Sequence, residues 1–432
     1  MNPRPAGKPA PRAGGSTPPP DAGADIVLTA NGPGEVTGWL EPVARRLVAL
    51  RDQGVLAARI WAWVPPCNFA SGRELAAVRA LGGFDGIFGP RDMWRFLLQG
   101  RPPHGFRPAR RGIVLFLGGD LFYAAAAARR LGYPAMAYTE GRARWLGSYE
   151  RFFVPHPRAA RRAMEMGAKA GRVEVVGDLV VDAVQDRLRA LQARDDSRPA
   201  CSTFQVGLFA GSRDYEVRWV LPLMLRAASS ISREMHHGVR FVVVRSPFVE
   251  EGLVQRIIAQ ELAPEDALVE VASDGREAVM AACDLAISVP GTVTAELAVL
   301  GVPTITLLPL HRAELVPLEG LPGLLGGIPG IGPRLKRWAV LRAVRRAGPV
   351  ALPSRRVGQR LGPEMVGEVE AAAIASEAVS LLRDRARREE LSKALRDAMG
   401  PGGAADRIVR CVLQRLGAGW QSHLPAGGPA GR

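Results

Sequence analysis

The stretch that most constrains the fold is Val206–Val217, which reads VGLFAGSRDYEV. Four apolar residues with the pattern of a strand run into Ala-Gly-Ser-Arg, and a helix is predicted directly after them. Gly211 lets the backbone approach a ligand, Ser212 can cap the helix, and Arg213 adds a positive charge beside the free N–H groups. This order predicts a binding loop for an anion, and phosphate is the expected ligand.

A second strand, glycine turn and helix follow within Asp284–Thr306. The strand breaks at Pro290 and Gly291, and a helix opens at Thr292 and carries Glu296. If both strands lie in one parallel sheet, their carboxyl ends face one crevice, where ligands bind in open α/β folds. Two helix N-termini would then bind a diphosphate, and the carboxylate of Glu296 would bind a ribose. Each turn alone is common in α/β proteins, but the pair favours a nucleotide site.

Length and composition indicate a globular protein with two domains. The chain has 432 residues, of which 47% are hydrophobic, enough for two ordinary cores. The four cysteines are far apart in the sequence and lack metal-ligand spacing, so we expect a reducing cytoplasm and no bound metal. The net charge of +15 suits nucleic acid, anionic lipid or phosphorylated substrates, but no nucleic-acid-binding motif accompanies it. Nucleic acid is therefore not expected as a partner, and no transmembrane span is predicted.

Strand and helix patterns alternate along most of the chain, which predicts two successive α/β units. We expect a Pro/Gly-rich disordered tail over residues 1–23, an N-terminal domain over 24–195 and a C-terminal domain over 200–400. A polar break at Arg194–Pro199 marks the boundary. A final helix is expected over 401–417, and whether it crosses back to the first domain is left open. Residues 418–432 are expected to form a disordered tail.

Two carboxylates of the first half are candidate site residues. Glu35 lies in a glycine-rich stretch between the first strand and a helix predicted from about Trp39, so we expect it on a loop that faces the ligand. Asp120 follows a buried strand that ends at Gly118 and Gly119. A carboxylate in that position can be a general base or an ordinary helix N-cap, and the residues alone leave both roles open.

A basic segment at residues 334–348, RLKRWAVLRAVRRAG, combines arginines and a lysine with apolar residues at every third position. An apolar stripe flanked by cations is typical of a helix that lies on an anionic membrane surface. It is equally typical of a surface helix packed on its own domain, so both interpretations are kept.

Six stretches, in the same order, resemble the lipid-A-disaccharide synthases, which are membrane-associated inverting glycosyltransferases of the GT-B fold. The most specific is AGSRDYEV at Ala210–Val217, similar to PGSR-x-x-E-V and including Glu216. The next is GTVTAELAVLGVP at Gly291–Pro303, similar to S-G-T-x-T-L-E…GVP. The other four are GPGEVTG at Gly32–Gly38, GGDLF at Gly118–Phe122, VVGDLVVDAV at Val175–Val184 and PSRRVGQRLGPE at Pro353–Glu364.

The resemblance implies a GT-B fold of two Rossmann-like domains with a nucleotide-sugar cleft between them. It implies transfer of a sugar from a UDP-sugar donor to a lipid acceptor, in the cytoplasm or peripherally on the inner membrane. The UDP-sugar is a substrate, so no cofactor is implied, and the oligomeric state stays open. The implied site consists of Asp120 as catalytic base, Glu35 on the acceptor side, and the nucleotide-sugar residues Gly211, Ser212, Arg213, Glu216, Gly291, Thr292 and Glu296.

Four residues depart from the family pattern: Trp39, Asp178, Pro290 and Ser354 stand where the family has Asp, His, Ser and Asn. They cluster on acceptor and sugar recognition, so the nucleotide half is kept more faithfully than the acceptor half. Two alternatives therefore remain, a UDP-sugar 2-epimerase and a nucleotide-sugar-binding protein without catalysis.

Overall fold

Two parallel β-sheets, each flanked by helices, form the architecture of the protein. The computed structural model describes residues 23–66, 72–192, 203–263, 266–273, 275–310 and 348–417. The predicted break at 194–199 and the predicted basic helix at 334–346 lie outside these ranges, as do nearly all of both predicted tails.

The first sheet has seven strands in the order β3-β2-β1-β4-β5-β6-β7. Its strands are β1 (Asp25–Thr29), β2 (Arg59–Trp63), β3 (Gly86–Phe88), β4 (Gly112–Phe116), β5 (Ala135–Tyr138), β6 (Tyr149–Val154) and β7 (Val173–Val175). Its helices are α1 (Pro33–Glu35), α2 (Glu41–Asp52), α3 (Glu74–Leu81), α4 (Pro90–Gln99), α5 (Leu121–Leu131), α6 (Pro157–Glu165) and α7 (Leu179–Gln192). A π-helical turn (Val36–Leu40) joins α1 to α2, and a 3₁₀ turn (Ala170–Arg172) precedes β7.

The second sheet has six strands in the order β10-β9-β8-β11-β12-β13. These are β8 (Phe204–Phe209), β9 (Val239–Val244), β10 (Val269–Ala272), β11 (Leu285–Ser288), β12 (Thr304–Pro309) and β13 (Glu364–Gly367). Its helices are α8 (Asp214–Glu234), α9 (Leu253–Glu261), α10 (Arg276–Ala281), α11 (Thr292–Leu300), α12 (Leu352–Val357), α13 (Ala371–Arg383) and α14 (Arg385–Met399). The sequence analysis did not predict α12 or β13, because both are short and lack a clear apolar period.

The central strands are apolar at nearly every position, as expected for parallel sheets that helices cover on both faces. Strands β1 and β4 are buried at every position, as expected for strands that have helices on both sides. The last helix, α15 (Ala404–Leu416), packs its apolar face on the first sheet, where Ile408 and Val412 join the core of Ile26 and Leu28. The last described helix therefore crosses back to the first half of the protein.

Each sheet has a point where the strand order changes direction. The chain runs from β1 outward to β3 and then returns to β4 on the other side of β1. In the second sheet it runs from β8 to β10 and returns to β11 on the other side of β8. At such a point, the loops that follow the two neighbouring strands run in opposite directions. They leave a crevice at the carboxyl edge of the sheet. The loops that carry the predicted site residues follow β1, β4, β8 and β11.

The first helix begins earlier than the sequence analysis predicted. Pro33, not Trp39, opens the helical segment, which continues through the π-helical turn into α2. The carboxylate of Glu35 accepts a hydrogen bond from the Gly32 N–H at 2.8 Å, and proline is favoured in the first turn because its missing N–H costs nothing there. Glu35 therefore lies in the first turn of a helix, and its prediction as a loop residue is wrong.

Candidate active site

A cleft of about 270 Å³ lies where the carboxyl edges of the two sheets face each other. The loops after β1, β8, β9 and β11 line it, together with the start of α10. Eight of the nine predicted site residues are among its lining residues: Glu35, Gly211, Ser212, Arg213, Glu216, Gly291, Thr292 and Glu296. The fold thus brings together residues that are more than 250 positions apart in the sequence.

The loop after β8 is held by the carboxylate of Glu216. One oxygen of Glu216 accepts from the Ser212 N–H at 2.9 Å, and the other accepts from Arg213 Nη1 at 3.0 Å. Gly211 has a φ of +117°, and a Cβ there would overlap Glu216. Arg213 is the N-cap of α8 and no side chain caps this helix, so the predicted capping role of Ser212 is wrong. The reason is that α8 begins at Asp214, so the N-cap position falls on Arg213 and Ser212 lies one residue before it.

The loop after β11 leaves the N-terminus of α11 open toward the cleft. Gly291 is the N-cap residue with a φ of +148°, and α11 has no side-chain cap hydrogen bond. No heavy atom lies within 4 Å of the position that a Cβ of Gly291 would take. The first N–H groups of a helix carry partial positive charge and have no partner inside the helix, so they can bind an anion at this point.

The first helix packs directly on the start of α11. A Cβ on Gly34 would collide with the hydroxyl of Thr292, and a Cβ on Gly38 would lie 3.3 Å from the Thr292 methyl group. Only residues without a side chain permit this approach. The two glycines therefore set the width of the cleft at the junction of the two halves.

Glu35 occupies a partly buried position between the first helix and the loop after β4. A Cβ on Gly118 would collide with its carboxylate, so the glycine makes room for this side chain. Burial raises the pKa of Glu35, while hydrogen bonds from the backbone of Gly119, Gly32 and Asn31 act in the opposite direction. A carboxyl group with a raised pKa at a cleft is suited to proton transfer.

Glu296 is buried, with an exposure of 3%, and is paired with two arginines. Arg276 Nη2 lies 2.5 Å from one carboxylate oxygen, and Arg187 Nη1 lies 3.5 Å from the other. Arg276 lines the cleft and adds a cation that the sequence analysis missed. The signal for Arg276 was its position as the first residue of α10, which follows a strand that ends at the same sheet edge.

Asp120 lies at the same edge of the first sheet but does not line this cleft. Its side chain is exposed, and Oδ1 accepts a hydrogen bond from the Phe122 N–H at 2.9 Å. This is the N-cap geometry that the sequence analysis kept as one of two roles. A role as catalytic base remains a proposal.

Four aromatic rings form a continuous surface beside Asp120. Trp94 contacts Tyr123, Tyr123 contacts Phe122, and Phe122 contacts Trp145, with ring centroids 5.3–5.6 Å apart. Three of the four are well exposed: Trp94 at 43%, Phe122 at 39% and Trp145 at 52%. The sequence analysis missed this surface, since a sequence does not distinguish an exposed aromatic from a core one. A contiguous exposed apolar patch commonly marks a binding surface.

Within the resolved segments between residues 23 and 417, no group of three or more His, Cys, Asp or Glu side chains is arranged to hold a metal ion. No helix in those same segments has both the length and the apolar character needed to cross a bilayer.

Sequence comparisons show which family part of the chain resembles. Residues 169–312 match the family model for lipid-A-disaccharide synthetase, and this region contains the loops after β8 and β11. Over part of its length, the chain is similar to the lipid-A-disaccharide synthases. It is 29% identical to the lipid-A-disaccharide synthase of Geobacter metallireducens over an alignment of 254 residues. This alignment covers 58% of this chain and 59% of the Geobacter protein. It is 30% identical over 250 residues to that of Trichlorobacter lovleyi, covering 56% and 57%. The match therefore spans somewhat more than half the length of these lipid-A-disaccharide synthases.

Comparison with solved structures confirms the predicted GT-B fold. The chain superimposes on the UDP-GlcNAc 2-epimerase of Neisseria meningitidis, a structure bound to UDP-GlcNAc, with a TM-score of 0.57. The superposition covers 90% of this chain and all of the epimerase at 12% identity. An identity this low establishes the shared architecture of two parallel-sheet domains and nothing about activity.

Proposed function

We propose that this protein is a glycosyltransferase that moves a sugar from a UDP-sugar donor to a hydroxyl group of a lipid or lipid-like acceptor at the membrane surface. Its relationship to the lipid-A-disaccharide synthases supports the reaction class. The observation that carries the proposal is the convergence of two glycine turns on one cleft, with Arg213 and Arg276 beside them. This arrangement suits a ligand with a strongly negative, extended anionic group.

On the donor side, the cleft offers charge for a diphosphate and a carboxylate for a ribose. The open N-terminus of α11 and the two arginines would neutralise the diphosphate as it leaves, and such fixed charges stabilise a developing anion. Glu296 would accept hydrogen bonds from the ribose hydroxyls. Arg276 and Arg187, which pair with this buried carboxylate, hold its orientation.

On the acceptor side, we assign the base to Asp120. Its Oδ1 is used in capping α5, and Oδ2 has no hydrogen-bond partner among the residues that the structure describes. Oδ2 would take the proton of the acceptor hydroxyl while the acceptor oxygen bonds to the anomeric carbon of the donor. The bond between that carbon and the diphosphate oxygen breaks in the same step, so the linkage is inverted. Glu35, on the same edge, would contact the acceptor.

The exposed aromatic surface supports an acceptor with acyl chains. Trp94, Phe122 and Trp145 lie next to Asp120, so apolar chains bound there would place a polar headgroup at the carboxylate. Tryptophan and tyrosine are also the residues that favour the boundary between lipid and water. Contact with lipid at this surface accords with action on a membrane-bound acceptor.

The test is release of UDP from a panel of UDP-sugars, including UDP-N-acetylglucosamine and its acylated forms, with and without a bacterial lipid extract. We expect release that depends on the lipid, falls on the order of 100-fold or more in Asp120→Asn, and falls less in Glu35→Gln. Mass spectrometry of the extract would identify the glycosylated acceptor. UDP binding without release in any mixture would contradict the proposal, and so would release of UDP and free sugar without an acceptor.

A further inference from the structure

Two residues of the donor cleft, Arg276 and Glu296, are bonded to each other, with Arg276 Nη2 2.5 Å from a carboxylate oxygen of Glu296. The proposed function, on which this inference rests, gives them different ligands, a diphosphate for Arg276 and a ribose for Glu296. We propose that a nucleoside diphosphate changes the partner of Arg276. The diphosphate draws the guanidinium away from Glu296 and thereby opens the carboxylate to the ribose hydroxyls.

The carboxylate of Glu296 is covered by its partner although it lies at the wall of the cleft. Both residues line the cleft, but the side chain of Glu296 is 4% exposed, whereas that of Arg276 is 20% exposed. The more exposed guanidinium is bonded to one carboxylate oxygen, so it leaves little of the carboxylate accessible to a ligand. Ribose hydroxyls must reach that oxygen before they can bond to it, and ribose binding therefore requires Arg276 to move.

The two arginine partners of Glu296 are held to different extents. Arg187 also contacts Glu41 at 2.6 Å and Glu277 at 3.2 Å, so several bonds fix its position. For the side chain of Arg276, Glu296 is the one hydrogen-bond or ion-pair partner within the segments that the structure describes. Arg276 can therefore leave the carboxylate without giving up a second bond, while Arg187 stays in place.

The movement required of Arg276 is short. Glu296 lies on α11 four residues after Thr292, which corresponds to about 6 Å along the helix axis. The guanidinium therefore has to shift by about one helical turn to meet an anion at the open N-terminus of α11. Gly275, which precedes Arg276, leaves space for this shift, since no heavy atom lies within 4 Å of the position that a Cβ there would take.

A diphosphate is the part of a nucleotide that can compete with a carboxylate for an arginine. It carries more negative charge and more acceptor oxygens than the carboxylate, and arginine binds phosphate in a bidentate manner. Glu296 keeps Arg187 when Arg276 leaves, so the buried carboxylate is not left without a cation. A nucleoside without phosphate has no such group and must compete with Arg276 for Glu296. The exchange thus makes the cleft selective for phosphorylated ligands.

Binding of UDP and of uridine to Arg276→Met tests the exchange, because the two ligands should respond with opposite signs. Methionine keeps an apolar stem and removes the charge and the donors. UDP should bind about tenfold more weakly, since a charged hydrogen bond is lost, whereas uridine should bind about tenfold more tightly, since Glu296 is no longer covered. Isothermal titration calorimetry measures UDP, and displacement of UDP measures uridine. Uridine that binds no more tightly to Arg276→Met than to the native chain overturns the exchange.

The matched control is Arg213→Met, at the other arginine of the cleft. Arg213 contacts Glu216 at 3.0 Å, and Glu216 already accepts a hydrogen bond from the Ser212 N–H. Its replacement should weaken UDP binding without any gain for uridine. An equal gain for uridine in both variants would mean that the loss of either cation favours a neutral ligand, and it would refute the partner exchange.

A change in the ligand shows where the gain arises. The compound 2′,3′-dideoxyuridine lacks both ribose hydroxyls, so Arg276→Met should bind it no more tightly than the native chain does. Addition of Glu296→Gln to Arg276→Met should remove the gain for uridine, because the ionised acceptor is then missing. A gain for dideoxyuridine as large as that for uridine would contradict the assignment of the hydroxyls to Glu296.

These measurements distinguish failure of the exchange from failure of the proposed function. If UDP binds the native chain but uridine gains nothing in Arg276→Met, the exchange is wrong and the donor site stands. If UDP does not bind the native chain at all, the proposed function is wrong, and the exchange is refuted with it.

Discussion

The guanidinium group of Arg187 lies 3.5 Å from the carboxylate of Glu296 and thereby joins α7 to α11 beside the donor cleft. The same guanidinium contacts Glu41 on α2 at 2.6 Å and Glu277 on α10 at 3.2 Å. It also donates to the Thr37 carbonyl at 2.5 Å. One cation therefore ties the helix that follows Glu35 to the residue expected at the ribose.

Replacement of Arg187 should weaken both the fold and donor binding. Arg187→Gln leaves buried carboxylates with fewer partners, although Glu41 keeps Arg45 and Glu296 keeps Arg276. We expect a loss of about 3 kcal/mol in the free energy of unfolding, measured by urea denaturation, and weaker UDP binding. Arg189→Gln on the same helix is the control, because Arg189 is 69% exposed and should change stability by less than about 0.5 kcal/mol. Equal stability of the two variants would contradict a structural role for the Arg187 network.

The contact between Gly34 and Thr292 predicts a steric effect that a second substitution relieves. Gly34→Ala should cost about 1–3 kcal/mol in the free energy of unfolding, because its Cβ would overlap the Thr292 side chain. The double variant Gly34→Ala/Thr292→Ala should recover part of that loss, giving a favourable coupling free energy.

The control for this contact is Gly147→Ala, because no atom lies within 4 Å of a Cβ at Gly147. It should be close to neutral in the same denaturation assay. A Gly34→Ala protein as stable as the Gly147→Ala protein would mean that the two halves do not meet at Thr292.

Asp25 is a fully buried carboxylate whose removal should be costly. It accepts hydrogen bonds from Arg59 Nε at 2.9 Å, Trp61 Nε1 at 2.9 Å, the Tyr133 hydroxyl at 2.8 Å and the Ala109 N–H at 2.7 Å. Asp25→Ala leaves all four donors without this acceptor, so we expect a loss of about 3–5 kcal/mol.

Thermal and urea unfolding of purified variants measure the effect at Asp25. Tyr133→Phe removes a single donor and should cost about 1 kcal/mol. Asp52→Ala, at a carboxylate with a side-chain exposure of 63%, should be nearly neutral. A small effect of Asp25→Ala, comparable with that of Asp52→Ala, would show that the buried cluster contributes little.

The lowered pKa of His156 predicts that the protein loses stability in mild acid. Burial, followed by Arg356, Arg158 and Arg161, lowers its pKa from 6.5 to about 4. The folded protein therefore binds the proton less tightly than the unfolded chain. The contribution of His156 to stability is present above pH 6.5 and is lost as the pH falls toward 4, by at most about 3 kcal/mol.

Urea unfolding above pH 6.5 and near pH 4 checks this prediction. His156→Asn keeps an acceptor for the N-terminus of α6 and removes the titrating group, so its stability should fall less over that range than that of the native chain. His104→Asn, at an exposed histidine, should behave like the native chain. An NMR titration that places the pKa of His156 near 6.5 would refute the proposed environment.

Local rules explain most of what could be predicted about the fold. The apolar strands and their glycine turns follow from side-chain hydrophobicity and from the backbone freedom of glycine, and both are properties of short stretches. The predicted strand before Ala210 is present as β8, and the helix predicted to open at Thr292 is present as α11. The larger exceptions concern the N-terminal ends of helices. The first helix starts six residues early because Glu35 and Pro33 stabilise its first turn, and Ser212 does not cap α8 because Arg213 occupies the N-cap position.

The candidate site also contains some residues that can be selected from the sequence and others that cannot. Residues such as Gly211, Arg213 and Gly291 could be selected from sequence, because each follows a strand end directly and strand ends meet at one edge of a parallel sheet. The exposed rings of Trp94 and Trp145 could not be selected, since exposure and proximity depend on how distant elements pack.

The sequence by itself determined the two α/β halves, the positions of the glycine turns after β8 and β11 and the resemblance to the lipid-A-disaccharide synthases. These depend on the order of residues within short segments. Only the tertiary structure decided that Glu35 faces the loop after β4, that Gly34 meets Thr292, that Arg187 bridges to Glu296, and that Asp120 lies outside the donor cleft. The physical reason is that each of these contacts joins residues far apart in the chain. Their distances are set by the packing of whole helices and sheets and by the relative position of the two halves.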